Sequence, residues 1–563
     1  VDRLGFQPMI DHLGQASDTA PCLLDRAFLA YVADLYGRVA KTAASVIWID
    51  DDTRYMGHGT AGTGCFCPLH LEKTGERLGR AVSREDIIDM ITLDYPVPTP
   101  ERLAWQAAND EAMLELAKTI RAAVDAIDPE IALGLMTVGT HAHASEGRHT
   151  PSLLEALDPK QPRWLRPGAG FWNDERPRDV VEKTEDALRQ VALAGTDVRP
   201  MSEVENYPRT RATKSNTILR LELTQNALAG LSDQSLNLFS TLQPIDDSYA
   251  ETADLLAERK PWLDAISAEI PDTKRIGIGI SVQEVVGSLL PPAGTDYIGA
   301  RTWSPILARL GLPLGEPTAA PHFISDRMAD VIEPEQLSAL AADGLVLDGP
   351  ALARMHERGI GKLIGLKTIR STGICGYERL TGDELNDVIA ERLLSWRRGE
   401  NSGAWVPEPV SAGAHILSRF LGLSGTDLGP AIVATEIANG GRVVMLPWTL
   451  PDAQQIVNDI RRAQMQALMV WVSRGTLPVR MIGSPNVYPI VRANADDTRR
   501  VVALTNLSYD TAQNAVAQLD TGFWKTEVLS ESGVWRPDDD VASDGCLRVR
   551  IHPWDTVVFR LTR

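Results

Sequence analysis

Apolar residues in this chain alternate between short unbroken runs and stretches spaced three and four apart. Val46-Ile-Trp-Ile49 is the sharpest run, and four apolar, mostly β-branched residues in succession need shelter on both faces, which predicts a strand of a parallel sheet. Before it, Phe28, Tyr31, Val32, Leu35, Tyr36 and Val39 fall at helical spacing and predict a helix over 24–41, preceded by a strand at 5–10. After it the spacing predicts helix 102–127, strand 131–138, helix 152–157, strand 164–169, helix 178–194, strand 198–204, helix 217–229, strand 235–242 and helix 249–270. Six strands, each followed by a helix, predict a (β/α)8 TIM barrel whose first two units lie upstream of Val1, so the strands in hand are the third to the eighth. The Gly-rich excursion from Thr53 to Thr99 is too long for an ordinary connection and predicts a functional loop.

From Arg275 the pattern changes. Strands at 276–280, 344–347, 361–365 and 441–446, interleaved with helices, predict an open, doubly wound, Rossmann-like α/β domain to about 476. Gly277 and Gly279 lie within a strand and lead into no Gly-x-x-Gly turn, so they do not make a dinucleotide loop. Short β-rich runs at 500–504, 526–529, 547–551 and 556–561 then predict a small C-terminal β-sandwich. The expected divisions are 1–272, 273–476 and 477–563.

Composition narrows the partners. A formal charge of −19 argues against nucleic acid or an anionic membrane, which demand a basic face. No apolar run approaches the roughly 18 residues of a membrane span, and no targeting signal is legible at the start. Five cysteines, Cys22, Cys65, Cys67, Cys375 and Cys546, make no disulfide framework and fit a reducing, cytoplasmic compartment.

Two acidic strand ends carry the candidate chemistry. Asp50-Asp-Asp52 closes the fourth strand of the expected barrel, and Glu203-Val-Glu205 closes the seventh. Those strands face one another across such a barrel, and opposed carboxylates at its rim are what glycoside cleavage requires: one donates a proton to the leaving oxygen while the other attacks the anomeric carbon. An Asp run after a strand also serves as a turn or a helix N-cap. Strand alternation puts Glu203 on the same face as Glu205, which makes it the second candidate nucleophile.

A separate cluster, Cys22 with Cys65-Phe-Cys67-Pro-Leu-His70, supplies three thiolates and an imidazole. That is a closed tetrahedral Zn²⁺ set with no open position, hence structural; buried free cysteines and a surface histidine are the alternative.

The block from Cys22 through Trp48-Ile-Asp-Asp-Asp52 to Cys65-Phe-Cys67 resembles the β-galactosidases of glycoside hydrolase family 42. There an upstream Cys, a Trp-bearing strand ending in Asp-Asn-Glu and a Cys-x-Cys-x-x-Cys run follow in the same order. Gly344-Leu-Val-Leu-Asp-Gly349, Gly440-Gly-Arg-Val-Val444 and Leu504-Thr-Asn-Leu-Ser508 are similar to the later domains of that clan. The resemblance implies a barrel, a trimerisation domain, a small β domain and a homotrimer. It places Asp52 on the acid/base Glu, and Glu205-Asn-Tyr-Pro208 on the nucleophile segment. Asp52 is one methylene shorter than Glu, Asp51 stands for Asn, and His70 stands for Cys.

The expected activity is therefore a retaining exo-glycosidase acting on a β-galactoside-like or related terminal sugar, with no catalytic cofactor. Asp50, Asp51, Arg54, Asp11, His12, His58, Trp172, Asn173, Glu203 and Tyr207 lie at or just beyond strand ends, where they either contact sugar or play a structural part. Two other classes compete. One is a metal-dependent hydrolase with an ion on Asp50, Asp51, Asp52, His12 and His58, to which His141, His143, Glu146 and His149 of a predicted loop add candidate ligands. The other is a carbohydrate-binding protein without catalysis.

Overall fold

The computed structural model describes residues 4–58, 61–95, 97–160, 162–168, 173–206, 213–231, 233–239, 247–283, 285–292, 302–372, 375–395, 404–450, 456–483, 486–520, 525–538 and 545–563. Its first layer is a half-barrel of five parallel strands in chain order, Val46–Ile49, Ala132–Val138, Arg163–Gly168, Val198–Glu205 and Asp233–Asn237. Helices Arg26–Ala40, Pro100–Asp125, Thr150–Leu157, Val180–Ala194, Asn216–Ala229 and Ala250–Ser267 follow the predicted pattern.

Alternation along the first strand decides its two faces. Ile47 and Ile49 are buried against Leu29, Val32, Met113 and Leu116 of the covering helices. Trp48 points to the inner face, where it meets Trp164 edge-on at 5.9 Å, and Arg199 stacks over Trp164 at 4.2 Å. Gly134 is required beneath them, since a Cβ there would lie 2.5 Å from the Trp48 ring.

Four expectations need correction. The strand near 5–10 does not join the parallel sheet: Pro8–Ile10 pairs antiparallel with Ala16–Pro21, so among the described residues the half-barrel has five strands, not six. Residues 141–149, read as a loop, open with the helix Thr140–Ser145. The apolar run 361–365 is a single 3-10 turn, Gly361–Ile364, too short to reach the sheet. The run 276–280 is broken at Gly277, whose φ of 146° and close approach to the Pro313 carbonyl admit no side chain. On one side of that break Thr273–Arg275 pairs with Arg492–Asn494, and on the other Gly279–Ile280 enters a different sheet.

That second sheet runs Gly279–Ile280, His322–Ile324, Leu345–Leu347 and Arg442–Met445 in parallel, then Val433–Glu436 and His415–Ile416 antiparallel. The C-terminal part stacks a six-stranded sheet and a three-stranded sheet around Val479, Val491, Val502, Leu504, Leu547 and Phe559. A single core joins the three layers through Val181, Trp262, Ile278, Trp303 and Tyr488. Within it Arg275 makes a bidentate pair with Glu185 at 2.5 and 3.0 Å, both groups drawn out of water. No helix among the described residues is long and apolar enough to cross a membrane.

Candidate active site

The Glu203 and Glu205 side chains share the inner face because Ser202 and Val204 are buried on the other, Val204 against Leu219 and Leu223 of the following helix. Arg166, on the neighbouring strand, pairs with Glu203 at 2.9 Å. Gly168 makes room for that carboxyl, since a Cβ would stand 2.9 Å from Glu203 Oε2. Burial pushes Glu203 up to about 7; Arg166 opposes the rise, and Glu205, Asp51 and Asp50 add to it. Asp51 is also raised, first by burial and then by Asp50, against Arg54 and Arg166. The two acidic strand ends predicted from the sequence thus share one electrostatic neighbourhood, with Arg166 acting on both.

The 50–52 turn is clamped by Arg54, which is itself buried. Its Nη1 donates to the Asp51 carbonyl at 2.9 Å and lies 3.6 Å from Asp51 Oδ2, while Nη2 pairs with Asp52 Oδ1 at 2.6 Å. Nε donates to the Met56 carbonyl. Asp50 Oδ1 accepts from the Asp52 N–H at 3.0 Å. The Asp52 side chain is 69% exposed and turned to Arg54; Asp51, at 22%, is the more buried carboxyl and feels the charges of both Arg54 and Arg166. His58 contacts the Arg54 carbonyl through Nε2 at 2.7 Å, and burial lowers its pKa.

Several candidates are occupied elsewhere. Asp11 accepts from the N–H groups of Leu13, Gln15 and Gly62, so its carboxylate shapes a turn. His12 packs on the same 61–63 segment, with Nδ1 3.4 Å from the Thr63 N–H. Asn173 accepts from the Glu175 N–H. Trp172 and Tyr207 lie outside the described residues. His143 is buried and held neutral by burial and by Arg148 and Arg54. Among the described residues no histidine joins Asp50, Asp51 and Asp52 in a metal-sized cluster. The ligand set of the competing metal hydrolase is not assembled there.

One pair escaped the sequence reading. Lys214, buried behind the inner face, donates from Nζ to the Glu205 carbonyl at 2.5 Å and to Glu222 Oε2 at 2.5 Å. A lysine nine residues after a strand-end carboxylate looks like any surface lysine. The only available signal was Glu222, an acid on the apolar face of helix Asn216–Ala229.

Cys22, Cys65, Cys67 and His70 are all buried and their ligand atoms lie within 4.8 Å of one another. Cys22 Sγ is 3.4 Å from Cys67 Sγ and 3.2 Å from His70 Nδ1, and Cys67 Sγ is 3.7 Å from that nitrogen. A tetrahedral zinc site places its donors roughly 3.5–3.8 Å apart, so the set fits. The Tyr55 hydroxyl donates to the Asn109 carbonyl at 2.9 Å and accepts from His70 Nε2 at 3.4 Å. The proton on Nε2 leaves the Nδ1 lone pair facing the sulfurs, as a metal ligand needs.

No protein-family model and no curated protein matches this chain. Solved structures do, over nearly its whole length. An α-L-fucosidase isoenzyme from Paenibacillus thiaminolyticus superposes with a TM-score of 0.66 at 13% identity, covering 99% of this chain and 84% of that one. A β-galactosidase from Bacillus circulans sp. alkalophilus gives 0.65 at 11%, covering 100% and 87%. A β-galactosidase from the haloarchaeon Halorubrum lacusprofundi gives 0.60 at 14%, covering 100% and 87%. At such identities the likeness is one of fold: this chain has the fold of these glycoside hydrolases.

Proposed function

We propose that the protein is a retaining exo-glycosidase for a β-galactoside-like or related terminal sugar, its five parallel strands forming part of a (β/α)8 barrel. The observation that carries this is the convergence of Glu203, Glu205, Asp50 and Asp51 at the rim of a parallel half-barrel, in a chain with a glycosidase fold. Glu205, at the last position of its strand, is the nucleophile. Asp52 is the acid/base by its place in the motif. A second reading gives that role to Asp51, because Asp51 is the more buried carboxyl and burial raises its pKa, as an acid requires, while Asp52 is exposed and paired with Arg54. In either case one carboxyl delivers a proton to the leaving oxygen as the other forms the glycosyl bond, and the first then activates water.

A panel of aryl glycosides, assayed with and without chelator, tests the class. Turnover should survive chelation, and Glu205→Gln should abolish it on every substrate. Whichever of Asp51→Asn and Asp52→Asn spares activated leaving groups while losing unactivated ones marks the acid/base. An enzyme killed by Glu203→Gln but not by Glu205→Gln would overturn the nucleophile.

The same reading includes a structural zinc on Cys22, Cys65, Cys67 and His70, a homotrimer, and a cytoplasmic location that cell fractionation checks. All five cysteines are buried and none is in a disulfide, which suits a reducing compartment.

A further inference from the structure

The strand end that bears Glu205 is gripped from behind by a buried cation. We propose that Lys214, anchored by Glu222, is a positioning residue for the Glu205 nucleophile; this rests on the glycosidase reading above.

The ladder that holds Glu205 runs out beside it. Glu205 is the last strand residue, its partner Asn237 is the last of the neighbouring strand, and the Asn206 N–H makes one more bond to the Asn237 carbonyl at 3.1 Å. The Lys214 ammonium donates to the carbonyl of that same peptide, so the first peptide beyond the strand is held at both its polar atoms and the backbone that carries Glu205 cannot fray. Glu222 fixes the ammonium in turn. It sits on helix Asn216–Ala229, which is seated by Leu219 and Leu223 and capped by Ser215, whose side chain accepts from the Ile218 N–H and donates to Asp174.

The side chains of Lys214 and Glu222 are 2% and 1% exposed. A buried ion pair gives up hydration that its attraction seldom repays, and apolar residues of similar size usually stabilise more. Its presence at this spot is accounted for by the bond to the carbonyl, which no apolar residue can make. Among the described residues neither charged end of the pair bonds to an inner-face carboxylate, although Glu222 feels the charge of Glu203, so its direct hold is on the Glu205 backbone and not on the sugar.

The test is a double-mutant cycle on the aryl glycoside that the wild type turns over fastest. In the wild type, Lys214→Met should lower kcat by about 100-fold, the scale of a misplaced reacting group, with KM unchanged. Lys214→Arg should restore part of it. In a Glu205→Ala background rescued by azide, where no side-chain nucleophile needs placing, Lys214→Met should have no effect. Equal losses in both backgrounds, or no loss in the wild type, would show that Lys214 serves only the fold or nothing at all, and either result overturns the proposal. A wild type inactive on every glycoside, or a Glu205→Ala enzyme that azide does not rescue, instead removes the glycosidase reading and this proposal with it.

Discussion

Among single residues, buried glutamates set the response to pH. Glu146 is pushed up to about 8 by burial, which the N–H groups of Gly64 and Tyr55 and the charges of Arg148 and Arg54 only partly offset. Its Oε2 meets no hydrogen-bond partner among the described residues. In the unfolded chain the same carboxyl titrates near ~4.3. Between those values the folded protein holds a proton that the unfolded chain has released, so this contribution weakens as pH rises through the window and is flat above it. Glu203 and Glu222, both raised by burial to about 7, act in the same sense. Glu146→Gln copies the protonated form. It should leave the Tm nearly unchanged at pH 5 and raise it at pH 8.5, by roughly 1 °C for each kcal/mol recovered, as scanning calorimetry would read. A variant that loses stability equally at both pH values would show that the ionised carboxylate is wanted.

Between elements, the segment 50–70 couples the two candidate centres. Two residues separate Asp52 from Tyr55, whose hydroxyl touches His70, and one of them, Arg54, clamps Asp51 and Asp52. Purified protein should hold one zinc per chain by elemental analysis. Tyr55→Phe removes the acceptor that holds His70 in its ligating tautomer and should weaken zinc, measured by competition with a chromophoric chelator, by about 10–100-fold. Unchanged affinity would mean that packing alone orients the ring, and metal-free protein would remove the site. Trp105 stacks on Phe66 at 5.2 Å and donates from its indole to the Cys65 carbonyl, so the loop stays anchored to helix Pro100–Asp125 in the variant.

For the whole molecule, one cluster of the core spans all three layers, and the pair Arg275 with Glu185 ties the half-barrel to the C-terminal six-stranded sheet. The trimer proposed from the resemblance of 275–476 is checked by light scattering at micromolar concentration. Three times 61.4 kDa is the expected mass. A monomer across that range would count against it. A closed ring of three would also let one subunit's loops wall the next subunit's site.

What the sequence determined by itself were the features written in local pattern. Val46–Ile49 and its acidic end, the Glu203 and Glu205 alternation, the succession of helices and the spacing of Cys65, Cys67 and His70 are set by neighbours a few residues apart. Such neighbours fix periodicity and polarity. Tertiary structure decided what depends on distant partners. It took 8–10 out of the parallel sheet to pair with Ala16–Pro21, broke 276–280 at Gly277 against Pro313, and set Arg166 against Glu203. It also buried Lys214 behind Glu205. In each of these the deciding atom lies on another element, and no spacing along the chain encodes its position.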